Sequence, residues 1–106
     1  METYNVQFLQ EALDDLEEII LYIAQDSRAS ALSFHDKIID RLNGLSTFPK
    51  MGRLIPDKKM ADAGYRVLSI KPYLAFYRII GETIFIYRIL HGAMNYPLLY
   101  QQISEI

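Results

Sequence analysis

The sequence contains no cysteine, only five glycines and only two histidines among its 106 residues. Without cysteine the chain has no disulfide framework, no thiolate metal site and no cysteine nucleophile, so several classes of enzyme are excluded. The glycines are scattered along the chain and form no glycine-rich phosphate loop. His35 and His91 are too isolated to indicate a zinc site in a chain without cysteine. We therefore expect neither a metal nor a cofactor.

Long apolar runs are also missing. No stretch approaches the roughly 18 apolar residues that cross a bilayer, and the opening Met1-Glu2-Thr3-Tyr4 lacks the basic region and apolar stretch of a signal peptide. We expect a cytoplasmic protein that does not enter a membrane. Apolar residues make up 51% of the chain and charged residues 23%, which is typical of a globular domain. The length predicts a single domain over residues 1–106.

Charge is divided unevenly along the chain, although the net charge is only −2. Residues 1–49 carry nine acidic and three basic side chains, whereas residues 50–88 carry eight basic and three acidic ones. The low net charge argues against a dedicated nucleic-acid-binding protein. The basic second part indicates a polyanionic or acidic partner. An ordinary basic sheet beside a solvated acidic helix is the alternative interpretation.

The first half of the chain predicts one strand followed by two helices. Residues 4–9 alternate and are rich in β-forming residues, which favours a strand. Apolar residues then recur at helical spacing in two segments that a short link should fold into an antiparallel hairpin. Ser27 or Ser30 is placed to cap the second helix. The two apolar helix faces consist of Ala12, Leu16, Ile19, Ile20 and Ile23, and of Ala31, Phe34, Ile38, Leu42 and Leu45.

The second half predicts a long loop and then three strands. Phe48-Pro49-Lys50-Met51-Gly52 ends the second helix, and the stretch from there to Gly64 contains turn residues and charges without clear periodicity, which is typical of a connecting loop. Strands are expected over Tyr65–Ile70, Tyr73–Ile80 and Thr83–Leu90, joined as a meander of hairpins. A two-residue turn at Gly81-Glu82 would set the register of the last hairpin. The pairs would be Ile80 with Thr83, Arg78 with Phe85, Tyr77 with Ile86, Phe76 with Tyr87 and Ala75 with Arg88.

Together these elements predict an α+β fold. An N-terminal strand precedes an α-helical hairpin that packs on an antiparallel sheet, in the order βααβββ, and a short C-terminal tail follows. Both faces of the sheet are largely apolar. The helices should therefore cover one face, and a tail, a partner or a ligand the other.

Four segments in this order resemble the RelE/ParE toxin superfamily. The resemblance extends over nearly the whole chain, and it depends on the order and spacing of the segments more than on any one of them. The segments are Tyr22-Ile23-Ala24, Leu45-Ser46-Thr47-Phe48-Pro49-Lys50-Met51-Gly52-Arg53, Gly64-Tyr65-Arg66-Val67-Leu68 and Ile89-Leu90-His91-Gly92-Ala93-Met94-Asn95-Tyr96.

The resemblance implies the toxin of a bacterial type II toxin–antitoxin system. Such a toxin is neutralised by a cognate antitoxin, whose C-terminal segment wraps the toxin and whose other end usually binds operator DNA. DNA would then be reached only indirectly, through the antitoxin. The branches of the superfamily differ in target. RelE-like members cut messenger RNA inside the ribosome, whereas ParE-like members inhibit DNA gyrase without known catalysis of their own.

The residues of RelE-like nucleases are matched only in part. Arg66 falls where those nucleases have a lysine, and Tyr100 aligns with their tyrosine. Their two arginines fall at Leu74 and Met94, which puts RNA cleavage in doubt. No residue is therefore assigned a catalytic role. If the chain is a ribosome-dependent mRNA endoribonuclease, the candidates for a rearranged site are Arg66, Arg88, His91 and Tyr100, with Arg78 as a further cation.

The closing segment is more similar to the ParE-like branch. Leu90-His91 precedes Met94-Asn95, where ParE-like toxins have a leucine–histidine pair followed by a methionine–acid pair, and Asn95 replaces the acid. A sequence pI near 5.6 also fits the polyanionic ribosome poorly. The sequence therefore favours a gyrase inhibitor over an enzyme, with RelE-like cleavage of mRNA as the alternative.

Several residues have both a functional and a structural interpretation. Arg88 is either an inward-facing functional cation or the partner of a helix-one carboxylate such as Asp15. His91 is either a general base or a residue that holds the turn after the last strand. Residues expected to contact the target or an acidic amphipathic antitoxin segment, on sheet faces that stay open, are Arg66, Tyr73, Tyr77, Arg78 and His91.

Overall fold

A computed structural model describes residues 3–92 together with residues 100, 101 and 103. The predicted α+β fold is confirmed, with two short elements added between the helices and the sheet. The elements are β1 (Asn5–Phe8), α1 (Gln10–Ala24), α2 (Arg28–Asn43), a 3-10 turn (Gly44–Ser46), β2 (Arg53–Leu54), α3 (Lys58–Asp62), β3 (Tyr65–Ile70), β4 (Tyr73–Ile80) and β5 (Thr83–His91).

The five strands form one sheet in the order β1-β5-β4-β3-β2. β2 to β5 pair antiparallel, as the predicted meander requires, while β1 pairs parallel with β5. A parallel pair needs a long crossover between its strands, and the intervening helices and hairpins supply it. β5 is therefore a central strand, covered on one side by β1 and on the other by β4.

The two long helices cover one face of this sheet. α1 and α2 form the predicted hairpin, and the Ser27 side chain caps α2 by accepting a hydrogen bond of 3.1 Å from the Ser30 amide. Within residues 3–92, no helix is both long and apolar enough to cross a membrane. The first core, between helices and sheet, comprises Ala12, Leu16, Ile19, Ile38, Leu42, Leu45, Leu68, Ile70, Ala75, Tyr77, Ile84, Ile86 and Ile89.

The opposite face of the sheet has a core of its own. Ile103 from the C-terminal tail is fully buried there, so the tail contributes to this face, for which the sequence left a tail, a partner or a ligand open. The prediction of a loop between Gly52 and Gly64 is wrong, because this stretch contains β2 and α3. β2 has two residues and α3 has five, too few for a periodic pattern in the sequence. In the structure Asp57 caps α3, and Met60 of this helix is buried. The second core comprises Ile55, Met60, Tyr65, Val67, Phe76, Tyr87, Leu90 and Ile103.

The β4–β5 hairpin contains a β-bulge that the sequence did not predict. From the turn to Tyr77 the predicted register is correct, with Tyr77 opposite Ile86. Beyond the bulge, Phe76 lies opposite Arg88 and Ala75 opposite Ile89, so both remaining predicted pairs are wrong. The extra residue lets Ile86 and Ile89, three positions apart, both enter the first core. A regular strand would place residues three apart on opposite faces.

Candidate functional site

Arg88 and Asp15 form an ion pair between β5 and α1. Nε of Arg88 donates to Oδ2 of Asp15 at 2.7 Å, and a terminal nitrogen of the guanidinium donates to Oδ1 at 2.9 Å. The pairing raises the pKa of Arg88, chiefly through these hydrogen bonds. The sequence left two interpretations of Arg88 open, a functional cation or the partner of a helix-one carboxylate. The contacts with Asp15 support the second.

Asp15 also accepts a hydrogen bond from a backbone amide of β5. β1 ends at Phe8, opposite Ile86, so the described strands leave the later residues of β5 without a neighbour on that side. There the Ile89 amide donates to Oδ2 of Asp15 at 3.0 Å. A buried amide without a partner is costly, so the carboxylate stabilises both the bulged strand and its arginine.

An aromatic groove lies beside this ion pair, where α1 passes the start of β4 and the end of β5. It has a volume of about 370 Å³, and Glu18, Tyr22, Tyr73 and His91 contribute to its walls. The Tyr73 and His91 rings meet edge to face with centroids 5.5 Å apart. Tyr73 also packs on Phe34 at 5.6 Å. Tyr22 is 69% exposed, so its ring is available to a partner.

The groove has more acidic than basic side chains in its lining. Asp15 neutralises Arg88, while Glu11 and Glu18 lie close enough to contribute to the raised pKa of that arginine. Burial raises the pKa of Tyr73, followed by the influence of Tyr22, so its hydroxyl stays neutral at physiological pH. A negative aromatic surface favours a protein partner, and repels a phosphate backbone.

Glu18 and Tyr22 line the groove but were not predicted as site residues from the sequence. From the sequence alone Glu18 belongs to an acidic helix that is expected to face solvent. A helical signal was available, because Asp15, Glu18 and Tyr22 have the spacing i, i+3, i+7 and therefore share one face. That face meets the sheet beside His91, which the sequence did name.

Tyr77 and Arg66 do not lie on an open face, and the prediction for Tyr77 is wrong. Tyr77 is fully buried in the first core. Its hydroxyl donates to the Pro49 carbonyl at 2.8 Å and accepts from the Gly52 amide at 2.9 Å. Arg66 donates to the Gly52 carbonyl at 2.7 Å. Both side chains hold the segment that precedes β2.

Tyr73 and Arg78 are half-buried, on opposite faces of the sheet. Tyr73 lies on the helix-covered face, and it still reaches the groove. Arg78 donates to the Ala63 carbonyl at 2.7 Å and lies over the Tyr65 ring, 5.1 Å from its centroid. The expected open face at Arg78 is thus partly closed by the turn after α3.

The four candidate nuclease residues are divided between the two faces of the sheet. Arg88 and His91 line the groove, and Arg66 is two strands away on β3, bound to Gly52. Tyr100 packs on the second core, with its ring centroid 6.3 Å from that of Phe76. Leu74, aligned with a nuclease arginine, also packs on that core. Met94 and Asn95 lie outside the described residues, and among the described ones no group of three His, Cys, Asp or Glu side chains is arranged to hold a metal.

The architecture is that of toxin–antitoxin proteins of known structure. A chain of the chromosomal ParDE toxin–antitoxin system from P. aeruginosa superposes with a TM-score of 0.69 at 23% identity, covering 84% of this chain and 96% of the other. A chain of the RelBE2 toxin–antitoxin complex from Mycobacterium tuberculosis superposes with a TM-score of 0.55 at 24% identity, covering 84% and 98%. The α+β fold is therefore shared with chains of two known toxin–antitoxin assemblies.

Sequence comparison identifies the family. The family described as "ParE toxin of type II toxin-antitoxin system, parDE" matches residues 6–96. Toxin ParE3 of Caulobacter vibrioides is 33% identical over 82 residues, which cover 76% of this chain and 79% of that toxin. The chain belongs to the ParE toxin family of type II toxin–antitoxin systems, and the predicted resemblance, including the closer ParE branch, is confirmed.

Proposed function

We propose that this ParE-family toxin arrests growth as a protein inhibitor of DNA gyrase, and that a cognate antitoxin neutralises it. The observation that carries the proposal is the groove beside the Arg88–Asp15 pair. It combines aromatic rings with two carboxylates, Asp15 and Glu18, beside a single arginine that is already paired. Such a surface suits a protein target better than an RNA substrate.

The separation of the candidate nuclease residues supports the same choice. Cleavage of RNA by its 2′-hydroxyl requires a proton acceptor, a proton donor and cations around one phosphate. Tyr100 lies on the face of the sheet opposite His91. Arg66 and Arg88 are each engaged with an oxygen of the protein. RelE-like cleavage of mRNA on the ribosome is the alternative that the experiment below distinguishes.

The proposed antitoxin partner is supported by the surface of the helical hairpin as well as by the family. Leu21 is 60% exposed and Leu32 is 67% exposed. Exposed large apolar side chains on a small protein are typical of a surface that a partner covers. The similar folds from P. aeruginosa and M. tuberculosis come from toxin–antitoxin assemblies, which is consistent with a partner that wraps the toxin.

Induction of the toxin in cells tests the proposal. We expect growth arrest with induction of the DNA-damage response and intact transcripts, measured with a damage reporter and by mapping RNA 5′ ends. Glu18→Gln combined with Tyr22→Ala should weaken the arrest, while Leu32→Ala, an exposed change elsewhere, serves as the matched control. Codon-linked cleavage of translated messages without a damage response would instead establish the nuclease alternative.

A further inference from the structure

A second surface, far from the groove in sequence, combines apolar and basic side chains before and within β2. Phe48 is 66% exposed, Met51 38% and Leu54 48%. Lys50 and Arg53, between them in sequence, are also exposed. We call these five residues the β2 patch. Phe48, Pro49, Lys50 and Met51 line a shallow cavity of about 500 Å³.

The β2 patch is held in place from beneath by buried or half-buried side chains. The Tyr77 hydroxyl bonds both Pro49 and Gly52, and Arg66 bonds the Gly52 carbonyl. Arg41 donates to Sδ of Met51 at 3.6 Å and to the Ser69 carbonyl at 3.1 Å. A surface whose backbone is fixed in advance loses little conformational entropy when a partner binds.

The charge of the β2 patch has one sign. From Arg41 to Pro56 the sequence contains Arg41, Lys50 and Arg53 and no acidic residue. β2 is also one of the two outer strands of the described sheet, with β3 on its inner side. Outer strands bind extended segments through their backbone, and neighbouring pockets then select the side chains. The surface therefore fits a segment that carries both acidic and apolar side chains.

We propose that the β2 patch anchors an acidic, apolar segment of the antitoxin. This inference rests on the proposed function, since it names a contact surface for the proposed partner. Three apolar side chains are too few for a stable interface, which buries about 800 Å² per partner. The patch is therefore one anchor point in a longer contact, as when a disordered segment folds onto a protein surface.

A second copy of this chain fits less well. The complementary surface on the second copy would be a separate acidic depression on α1, lined by Asp14, Glu17, Glu18 and Leu21. That contact would be head to tail, because the two surfaces differ, and a contact of this kind closes only for particular rotations. Self-association is therefore an outcome that the experiment must report.

The test measures binding of the full-length toxin to the small protein encoded beside its gene, by calorimetry. Phe48→Ala with Leu54→Ala, and separately Lys50→Glu with Arg53→Glu, should each weaken binding at least about tenfold. Leu13→Ala with Ile80→Ala, which removes exposed apolar side chains outside both proposed surfaces, is the matched control and should change affinity less. All six residues are exposed, so the fold should survive, and circular dichroism checks this.

The outcomes separate this inference from the function it rests on. Unchanged affinity in both patch variants, with the wild type binding tightly, would overturn the inference and leave the proposed antitoxin in place. Failure of the wild type to bind would overturn both. Dimerisation of the toxin alone that Phe48→Ala abolishes, with antitoxin affinity intact, would assign the β2 patch to a second copy and contradict the proposal.

Discussion

Arg88 illustrates how the neighbours of a residue decide its role. An arginine on a strand of a basic sheet is a candidate for phosphate binding, but the guanidinium of Arg88 is paired bidentately with Asp15. The sequence shows the carboxylates of helix one and the arginine within a strand. It does not show that the fold brings Arg88 to Asp15, so both roles stayed open. The bulge that brings Ile89 to the same carboxylate has no sequence signature here.

Removal of the Asp15 carboxylate should destabilise the protein. Asp15→Asn leaves a positive Arg88 that retains only 24% of its side-chain exposure, so we expect a loss of about 2–4 kcal/mol in the free energy of unfolding. Urea denaturation measures it. Asp15→Asn with Arg88→Met should cost less than the sum of the single changes, because the second removes the unpaired charge. A loss below about 0.5 kcal/mol would place the pair among weak surface ion pairs.

The buried tyrosines predict a loss of stability in alkali. Burial raises the pKa of Tyr77 above its ordinary value of 10.0, partly offset by its backbone hydrogen bond to Gly52 and by Arg66. Above about pH 10 the unfolded chain loses this proton while the folded protein keeps it, so the free energy of unfolding falls as pH rises. Denaturation between about pH 8 and pH 11 should show this slope, reduced in Tyr77→Phe. An identical slope in the variant would contradict the account.

At the scale of elements, the long periodic segments were predictable and the short ones were not. α1, α2 and the three last strands follow from helical or alternating patterns and from turn residues such as Gly81. β2 has two residues and α3 has five, which is too short for a periodic pattern to repeat, and their position depends on Tyr77 and Asp57. Tyr77 was assigned to an open face because both faces of β4 are apolar, so alternation alone could not say which one the helices cover.

Gly52 tests how tightly the segment before β2 is held. A Cβ at this position would lie 2.6 Å from the Val67 carbonyl oxygen and 2.8 Å from the Tyr77 ring. Gly52→Ala should therefore cost about 1–3 kcal/mol, because backbone must move. Gly44→Ala is the matched control, since its Cβ would meet only Met51 at 3.5 Å. Equal melting temperatures for the two variants would show that the segment before β2 is flexible enough to accept the extra Cβ, and would contradict this account.

At the scale of the whole molecule, two surfaces of opposite charge serve two proposed partners. The acidic aromatic groove at Glu18 and Tyr22 is proposed to bind the target, and the basic β2 patch to anchor the antitoxin. The sequence showed the acidic and basic halves but not where the fold brings each to the surface. Family membership followed from four ordered segments, because their spacing reflects the whole fold.

The two surfaces predict separable losses of function. Phe48→Ala with Leu54→Ala should keep full toxicity and escape neutralisation when antitoxin is limiting. Glu18→Gln with Tyr22→Ala should lose toxicity and still bind antitoxin with an affinity within about threefold of the wild type. Growth curves at graded antitoxin expression measure both. Loss of toxicity in the first variant, with the fold intact, would show that the surfaces are not independent.

The most direct test of the central claim is DNA supercoiling by purified gyrase in the presence of purified toxin. A protein inhibitor predicts dose-dependent loss of supercoiling, relief when the antitoxin is added, and a shift to higher toxin concentration for Glu18→Gln with Tyr22→Ala. Unchanged supercoiling at every toxin concentration, with a preparation that still arrests growth when expressed, would contradict the account.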